Sequence, residues 1–117
     1  MMITLYGLRN CDTCRAALSW LKSKDVDVHF HDVRADGLSR PFIKTLTDTF
    51  GIDTVVNRRS TTWRQLPDGD KQKLTTKRAS DLLSAHPALM KRPVFDLGEQ
   101  LIIGFSAVTR TELERLL

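Results

Sequence analysis

A chain of 117 residues with 41% hydrophobic content is of the size at which single domains are commonest, and it can bury one core without metal or disulfide staples. Eighteen Lys and Arg against fourteen Asp and Glu give a formal charge of +4 and a sequence pI near 9.4, a balance that favours anionic partners. The basic residues are dispersed, with local groups at Arg58-Arg59 and Lys91-Arg92 and no stripe interleaved with aromatics, so a small anion is expected and nucleic acid is not.

Ile3 to Tyr6 is short, apolar and β-branched at its start, and Gly7 and Asn10 break it before Cys14, Ala17, Leu18 and Leu21 recur at helical spacing. Val26, Val28 and Phe30 then alternate with Asp27, His29 and His31, the period of a half-buried strand. The opening therefore predicts a β-α-β unit with parallel strands joined by a right-handed crossover. From Gly37 the character changes. Ser39 suits an N-cap, Pro41 a first turn, and Phe42, Ile43, Leu46 and Phe50 form one stripe that Gly51 ends. A second helical pattern runs from about Thr76 to Ala85, with His86-Pro87 as its stop. Residues 57–62 and 67–70 are polar and irregular. The stretch from about 38 to 90 reads as a helical insertion within one domain spanning 1–117, because it carries few large apolar groups.

Pro93 to Leu97 and Gln100 to Gly104, separated by Gly98-Glu99, predict an antiparallel hairpin. A final helix capped near Ser106 carries Val108, Leu113, Leu116 and Leu117. The element order is β-α-β, helical insert, β-β-α.

Chemistry concentrates at Cys11-Asp12-Thr13-Cys14, placed after the first strand and at the head of the first helix. Unpaired backbone N–H groups and the positive end of the peptide dipoles stabilise a thiolate there, the form that attacks disulfides or oxyanions. Cys11, at the helix start, is the candidate nucleophile, and Cys14, about a turn deeper, is placed to resolve a mixed disulfide. Two small hydrophobes packing a helix would be the plainer explanation of the pair. Both cysteines fall in one four-residue motif, which closes too small a loop to staple a secreted fold. No leader-like opening and no apolar run approaching about 18 residues is present, so a cytoplasmic, non-membrane protein is expected. Arg9 and Arg15 are candidates to assist the sulfur or to point to water. Thr13 could donate a hydrogen bond to sulfur or serve only as an early helix residue.

The order of elements, with Cys-x-x-Cys after the first strand and a proline opening the third, is the thioredoxin-fold pattern. Asn10-Cys11-Asp12-Thr13-Cys14, Arg58-Arg59-Ser60-Thr61-Thr62-Trp63, His86-Pro87 with Lys91-Arg92-Pro93, and Gly104-Phe105-Ser106 together resemble the ArsC/Spx family, and within it the YffB branch. The resemblance covers essentially the whole chain. It implies an α/β, thioredoxin-like fold of glutaredoxin type, a four-stranded mixed sheet carrying the helical insertion. It further implies a glutathione-dependent thiol-disulfide reductase with glutathione as co-substrate, no tightly bound cofactor and no metal. Partners would be glutathione, a small anionic thiol or disulfide, or a protein disulfide.

Carried over residue by residue, Pro93 resembles the cis-proline that faces the redox cysteine, and Arg92 points to the cysteine site, where it would attract an anion. Arg58 and Arg59 lie where the family places further anion-binding arginine, and Asn10 and Thr13 flank the nucleophile as substrate-binding positions. Two oxyanion-holding positions differ. Asn57 stands closest to one arsenate-binding arginine and Gly104 replaces another, which puts arsenate reduction below thiol reduction. A redox-sensing regulator that resembles Spx and docks on RNA polymerase is the alternative of another class. His29 and His31 share a strand face but lack a third ligand, so no metal is expected. Trp63 reads as an anchor for the irregular segment or as a wall of the active groove.

Overall fold

A computed structural model describes residues 2–117. They divide into two units, one formed by residues up to Asp32 together with Arg92–Leu117, the other by Val33–Lys91.

The first unit is built on a four-stranded sheet of order β2-β1-β3-β4, with β1 Met2–Gly7, β2 Asp27–Asp32, β3 Val94–Asp96 and β4 Leu101–Ile103. β1 and β2 run parallel, Ile3 opposite Val28 and Leu5 opposite Phe30, joined through helix α1 at Asp12–Ser23. β3 enters antiparallel to β1, with Leu5 opposite Phe95, and turns back into β4 with Phe95 opposite Ile102. Both hairpin strands are shorter than their apolar runs. The Leu97 N–H donates to Gln100 O at 2.9 Å, Gly98 adopts φ 93°, and its N–H donates to Asp96 Oδ1 at 2.8 Å, so the turn claims the flanking residues.

One face of this sheet carries the core. Ile3, Leu5, Phe95 and Ile102 meet Ala17 and Leu21 of α1 and Leu113 of the last helix, α7 at Ala107–Leu116. Burial of each large apolar side chain contributes about 1.5–3 kcal/mol, which ties α1, and with it the cysteine motif, to β1. α7 is fixed at its start by a capping box. The Ser106 Oγ accepts from the Thr109 N–H at 3.3 Å, and the Thr109 Oγ1 accepts from the Ser106 N–H at 2.8 Å.

The second unit is helical. α2 Val33–Asp36, α3 Arg40–Phe50, α4 Ile52–Val55, α5 Thr61–Arg64 and α6 Thr76–Ala85 are accompanied by one-turn 3-10 helices at Asp68–Lys71 and Pro87–Leu89. α3 begins where Ser39 Oγ accepts from the Phe42 N–H at 3.2 Å and ends at Gly51, φ 86°. The insert starts earlier than its composition suggests, because Val33 continues directly from β2 into a helical turn. It also buries more than expected: Ile43, Leu46, Val55, Val56, Leu66, Ala79, Leu83, Leu89 and Met90. The irregular 57–75 segment is pinned by Arg78, whose guanidinium donates to Gly69 O at 2.7 Å and Lys73 O at 3.3 Å.

Candidate active site

Cys11 is the N-cap residue of α1, with φ −103° and ψ 121°, and its carbonyl accepts the first intrahelical bond from the Arg15 N–H at 2.9 Å. The side chain is half-buried, so sulfur is open to a partner, and of the first-turn N–H groups it is that of Cys14 that acts on it. Cys14 lies one turn on and is fully buried among the core residues of α1. Both thiols are free.

The two sulfurs are driven in opposite directions. Burial raises the Cys11 thiol, but the Cys14 backbone N–H, the Cys14 thiol and the Arg92 guanidinium outweigh it and bring it below the ordinary cysteine value. Cys14 is pushed up to about 12, first by burial and then by Cys11 beside it, against a smaller opposite pull from the Leu8 backbone and Arg92. The first proton therefore leaves Cys11, and a thiolate there holds the second proton on Cys14.

Arg92 opens the proline-led strand. The Arg92–Pro93 peptide bond is cis, Pro93 is buried, and Pro93 O accepts from the Gly104 N–H at 2.8 Å. Arg92 is half-buried, with Nε enclosed, and its charge reaches both sulfurs. The other two nearby arginines do different work. Arg15 pairs with Asp12 on the helix surface, and the Arg9 guanidinium lies 5.7 Å from the Phe30 ring centroid. Arg92, not Arg9 or Arg15, is the cation acting on Cys11. Asn10 and Thr13 are exposed beside Cys11, and the Thr13 hydroxyl makes no hydrogen bond to either sulfur among the described residues.

Gly7, at the end of β1, matters for a reason its place in the strand pattern hides. A Cβ there would stand 2.6 Å from the Cys14 Sγ, so the absence of a side chain lets α1 seat its buried cysteine against the sheet. A glycine at the end of an apolar run signals close approach as readily as strand termination, and that signal was available in the sequence. Asp32 is a second residue the pattern does not reveal. It is buried and its Oδ2 accepts from the Arg9 N–H at 3.2 Å, steadying the segment before Cys11.

Arg58 and Arg59 belong to the second unit. Arg58 donates to Asp53 Oδ1 at 2.9 Å, and its guanidinium lies 5.4 Å from the half-buried Trp63 ring centroid. Trp63 is thus a support for Arg58 as well as a partly buried anchor. Arg59 is exposed, and its N–H donates to the Asn57 Oδ1 at 3.1 Å. Asn57 is used to build a turn. Gly104 is buried with φ 87°, a conformation that a side chain would strain. Neither position where the resemblance places an oxyanion-holding arginine is therefore a simple loss of charge.

The sequence profile of the ArsC family matches residues 6–112. The chain belongs to the ArsC family. An uncharacterized protein of Haemophilus influenzae is 42% identical over 105 residues, covering 90% of this chain and 92% of that protein. The global transcriptional regulator Spx of Streptococcus mutans is 32% identical over 107 residues, covering 90% and 77% respectively. The solved structure of a YffB protein superposes with TM-score 0.90 at 35% identity, covering 98% of this chain and 99% of that one. The structure of an arsenate reductase-related protein from Brucella melitensis gives TM-score 0.76 at 31% identity over 98% of this chain and 96% of that one. The sheet and helices described above are accordingly the thioredoxin-like fold of the ArsC family. Among the described residues no helix is long and apolar enough to cross a membrane.

Proposed function

We propose that the protein is a thiol-disulfide reductase in which Cys11 attacks, Cys14 or glutathione resolves, and Arg92 holds the attacking sulfur charged. The observation that carries this reading is the opposite displacement of two thiols one helical turn apart, the half-buried one lowered and the fully buried one raised to about 12. An attacking thiol needs to be ionised and reachable, and a resolving thiol needs to stay protonated until the mixed disulfide forms.

The Cys11 thiolate attacks one sulfur of a substrate disulfide. A sulfur–sulfur bond forms to Cys11, the substrate bond breaks, and the first thiol leaves with the electron pair and takes a proton. In the dithiol route Cys14 gives up its proton and attacks the Cys11 sulfur, releasing the second thiol and leaving a Cys11–Cys14 disulfide. Two glutathione molecules then reduce that disulfide and become glutathione disulfide. In the monothiol route a glutathione thiolate attacks the substrate-derived sulfur bound to Cys11, forming a disulfide with it while the bond to Cys11 breaks and Cys11 leaves as the thiolate. Neutralisation of the Cys11 charge during attack removes the obstacle that its thiolate sets to ionising Cys14.

Glutathione or another small anionic thiol is the substrate class that suits Arg92 and the basic balance of the chain, with protein disulfides as larger substrates. Arsenate fits less well, since an arsenate site depends on several convergent charge-assisted bonds and both Asn57 and Gly104 are given to backbone geometry. A cytoplasmic location would keep the pair reduced between turnovers.

Turnover of a small disulfide with glutathione tests the reading. Cys11→Ser abolishes it with the fold retained, and full activity in that variant ends the assignment. Cys14→Ser separates the routes, lost activity indicating the dithiol cycle and retained activity the glutathione-resolved one.

The likeness to Spx regulators favours a second reading, a redox-sensing module that binds RNA polymerase through the same fold. Capture of polymerase by the protein, lost on oxidation of Cys11 and Cys14, together with absent glutathione turnover would select it.

A further inference from the structure

Beside the cysteine motif, within the first unit, α1, β2 and the loop before Cys11 leave a cleft of about 230 Å³ lined by Arg9, Arg15, Leu18 and Phe30. Leu18 and Phe30 are half-buried and pack against the core, so the floor is apolar and anchored. Phe30 extends toward the buried sulfur: its Cζ lies 3.7 Å from where a Gly7 Cβ would stand, the same point that meets the Cys14 Sγ. Arg9 precedes Cys11 by two residues, and the Arg15 N–H donates to the Cys11 carbonyl at 2.9 Å, so the cleft begins within a helical turn of the attacking residue.

The two guanidinium groups at this cleft are held differently. Arg15 pairs with Asp12 and donates from Nη1 to the Arg9 carbonyl at 3.5 Å. The Arg9 guanidinium stands over the Phe30 ring, 5.7 Å from its centroid, and among the described residues it donates no hydrogen bond and meets no carboxylate. A cation–π contact leaves the N–H donors of the fork unspent. The backbone beneath it is fixed, since the Arg9 N–H donates to the buried Asp32 and its carbonyl accepts from Arg15. No acidic side chain lines the cleft among the described residues. An apolar floor ending at an unspent fork suits a ligand with an apolar arm and a terminal carboxylate, which the fork can grip through two parallel bonds. The size admits an aromatic ring, since a cavity of roughly 150 Å³ already takes one benzene molecule.

We propose that this cleft binds the arm of the thiol substrate, an aryl or arylalkyl carboxylate, with its ring on Leu18 and Phe30 and its carboxylate on Arg9. Arg9 thereby becomes a specificity-determining residue, separate from Arg92, which acts on the sulfur. The proposal rests on the thiol-disulfide reductase reading for the ligand's being a substrate, and on the cleft alone for its chemistry.

Two measurements test it. Amide chemical shifts of isotope-labelled, reduced protein are followed during titration with 3-phenylpropanoate, which carries no sulfur, and with 3-phenylpropanamide and propanoate, at constant ionic strength because screening alone shifts exposed charges. The expected result is saturable shifts at residues 9–18 and Phe30 with 3-phenylpropanoate, and binding of the other two weaker by about fivefold or more. Arg9→Gln weakens 3-phenylpropanoate binding about fivefold and leaves the amide unchanged. Lys22→Gln, which removes the same charge from the far end of α1, changes neither. Arg9 is exposed, and unshifted amides elsewhere show that the variant keeps its fold. The second measurement compares glutathione-dependent reduction of 4,4′-dithiodibenzoate with that of its bis-carboxamide. Arg9→Gln lowers kcat/KM about fivefold for the dicarboxylate and not for the carboxamide, whereas a merely structural role would lower both. Absent saturable shifts, amide binding as tight as that of the acid, or an Arg9→Gln loss shared by both disulfides overturns the proposal. Binding with the expected Arg9 dependence but no turnover of either disulfide supports the cleft and overturns the reductase reading instead.

Discussion

Gly7→Ala adds one methyl group at the place where β1 and α1 come closest. The new Cβ would lie 2.6 Å from the Cys14 Sγ and 3.1 Å from the Cys14 Cβ, with Phe30 at 3.7 Å. Non-bonded heavy atoms settle at about 3.5–4.0 Å, so strand and helix must part by roughly 1 Å. Cys14, Ala17 and Leu21 are all fully buried along one stripe of α1, and the helix cannot withdraw at one without loosening the others. Overpacking of this kind costs about 1–3 kcal/mol, a large share of the about 5–15 kcal/mol by which a domain is stable. Urea unfolding of the reduced protein should show a lower midpoint with unchanged slope. Cys14→Ala removes the atom that the new methyl meets, so the double variant should lose less than the two single losses added, by about 0.5–3 kcal/mol. Stability of Gly7→Ala within about 0.5 kcal/mol of wild type, or strictly additive losses, would refute the close-approach argument.

Arg92→Gln removes the cation acting on Cys11. A hydrogen bond to a charged group contributes about 1.5–3 kcal/mol, and solvent around the half-exposed sulfur reduces that to about 1 kcal/mol, so alkylation of Cys11 at neutral pH should slow about fivefold. An unchanged rate would remove Arg92 from the site. The buried Cys14 predicts alkaline instability. Its folded value of about 12 stands above its ordinary 9.0, so above pH 9.0 the unfolded chain releases the proton first and stability falls as pH rises toward about 12. Cys14→Ser should lack that part of the decline in unfolding measured against pH, and an identical decline would contradict the cause. Ser106→Ala removes half of the α7 capping box and should cost about 0.5–2 kcal/mol in urea unfolding, with no change expected if the cap is unimportant.

The sheet was legible where side-chain period reports burial directly. The alternation of Val26, Val28 and Phe30 with Asp27, His29 and His31 marked β2, the short apolar run from Ile3 marked β1, and Ser39, Pro41 and Gly51 bracketed α3 because caps and turns have local chemical requirements. One-turn helices at Val33–Asp36 and Ile52–Val55 were illegible, since four residues are too few to display a helical period. The antiparallel entry of β3 beside β1 is a long-range pairing that no local pattern encodes. At the site, Cys-x-x-Cys and Arg-Pro named the residues, but the opposite behaviour of the two thiols depends on burial and on Arg92, which only the fold brings to them. Arg9 and Arg15 are the cations nearest Cys11 in sequence, yet their guanidinium groups lie against Phe30 and Asp12.

Brief alkylation of the fully reduced protein across pH, followed by peptide mapping of each cysteine, bears most directly on the division of labour between the sulfurs. The account predicts that Cys11 is labelled first, with a midpoint below that of ordinary cysteine, while Cys14 stays unlabelled until strongly alkaline pH or unfolding. Equal labelling of the two, or a Cys11 midpoint at or above the ordinary value, would contradict it.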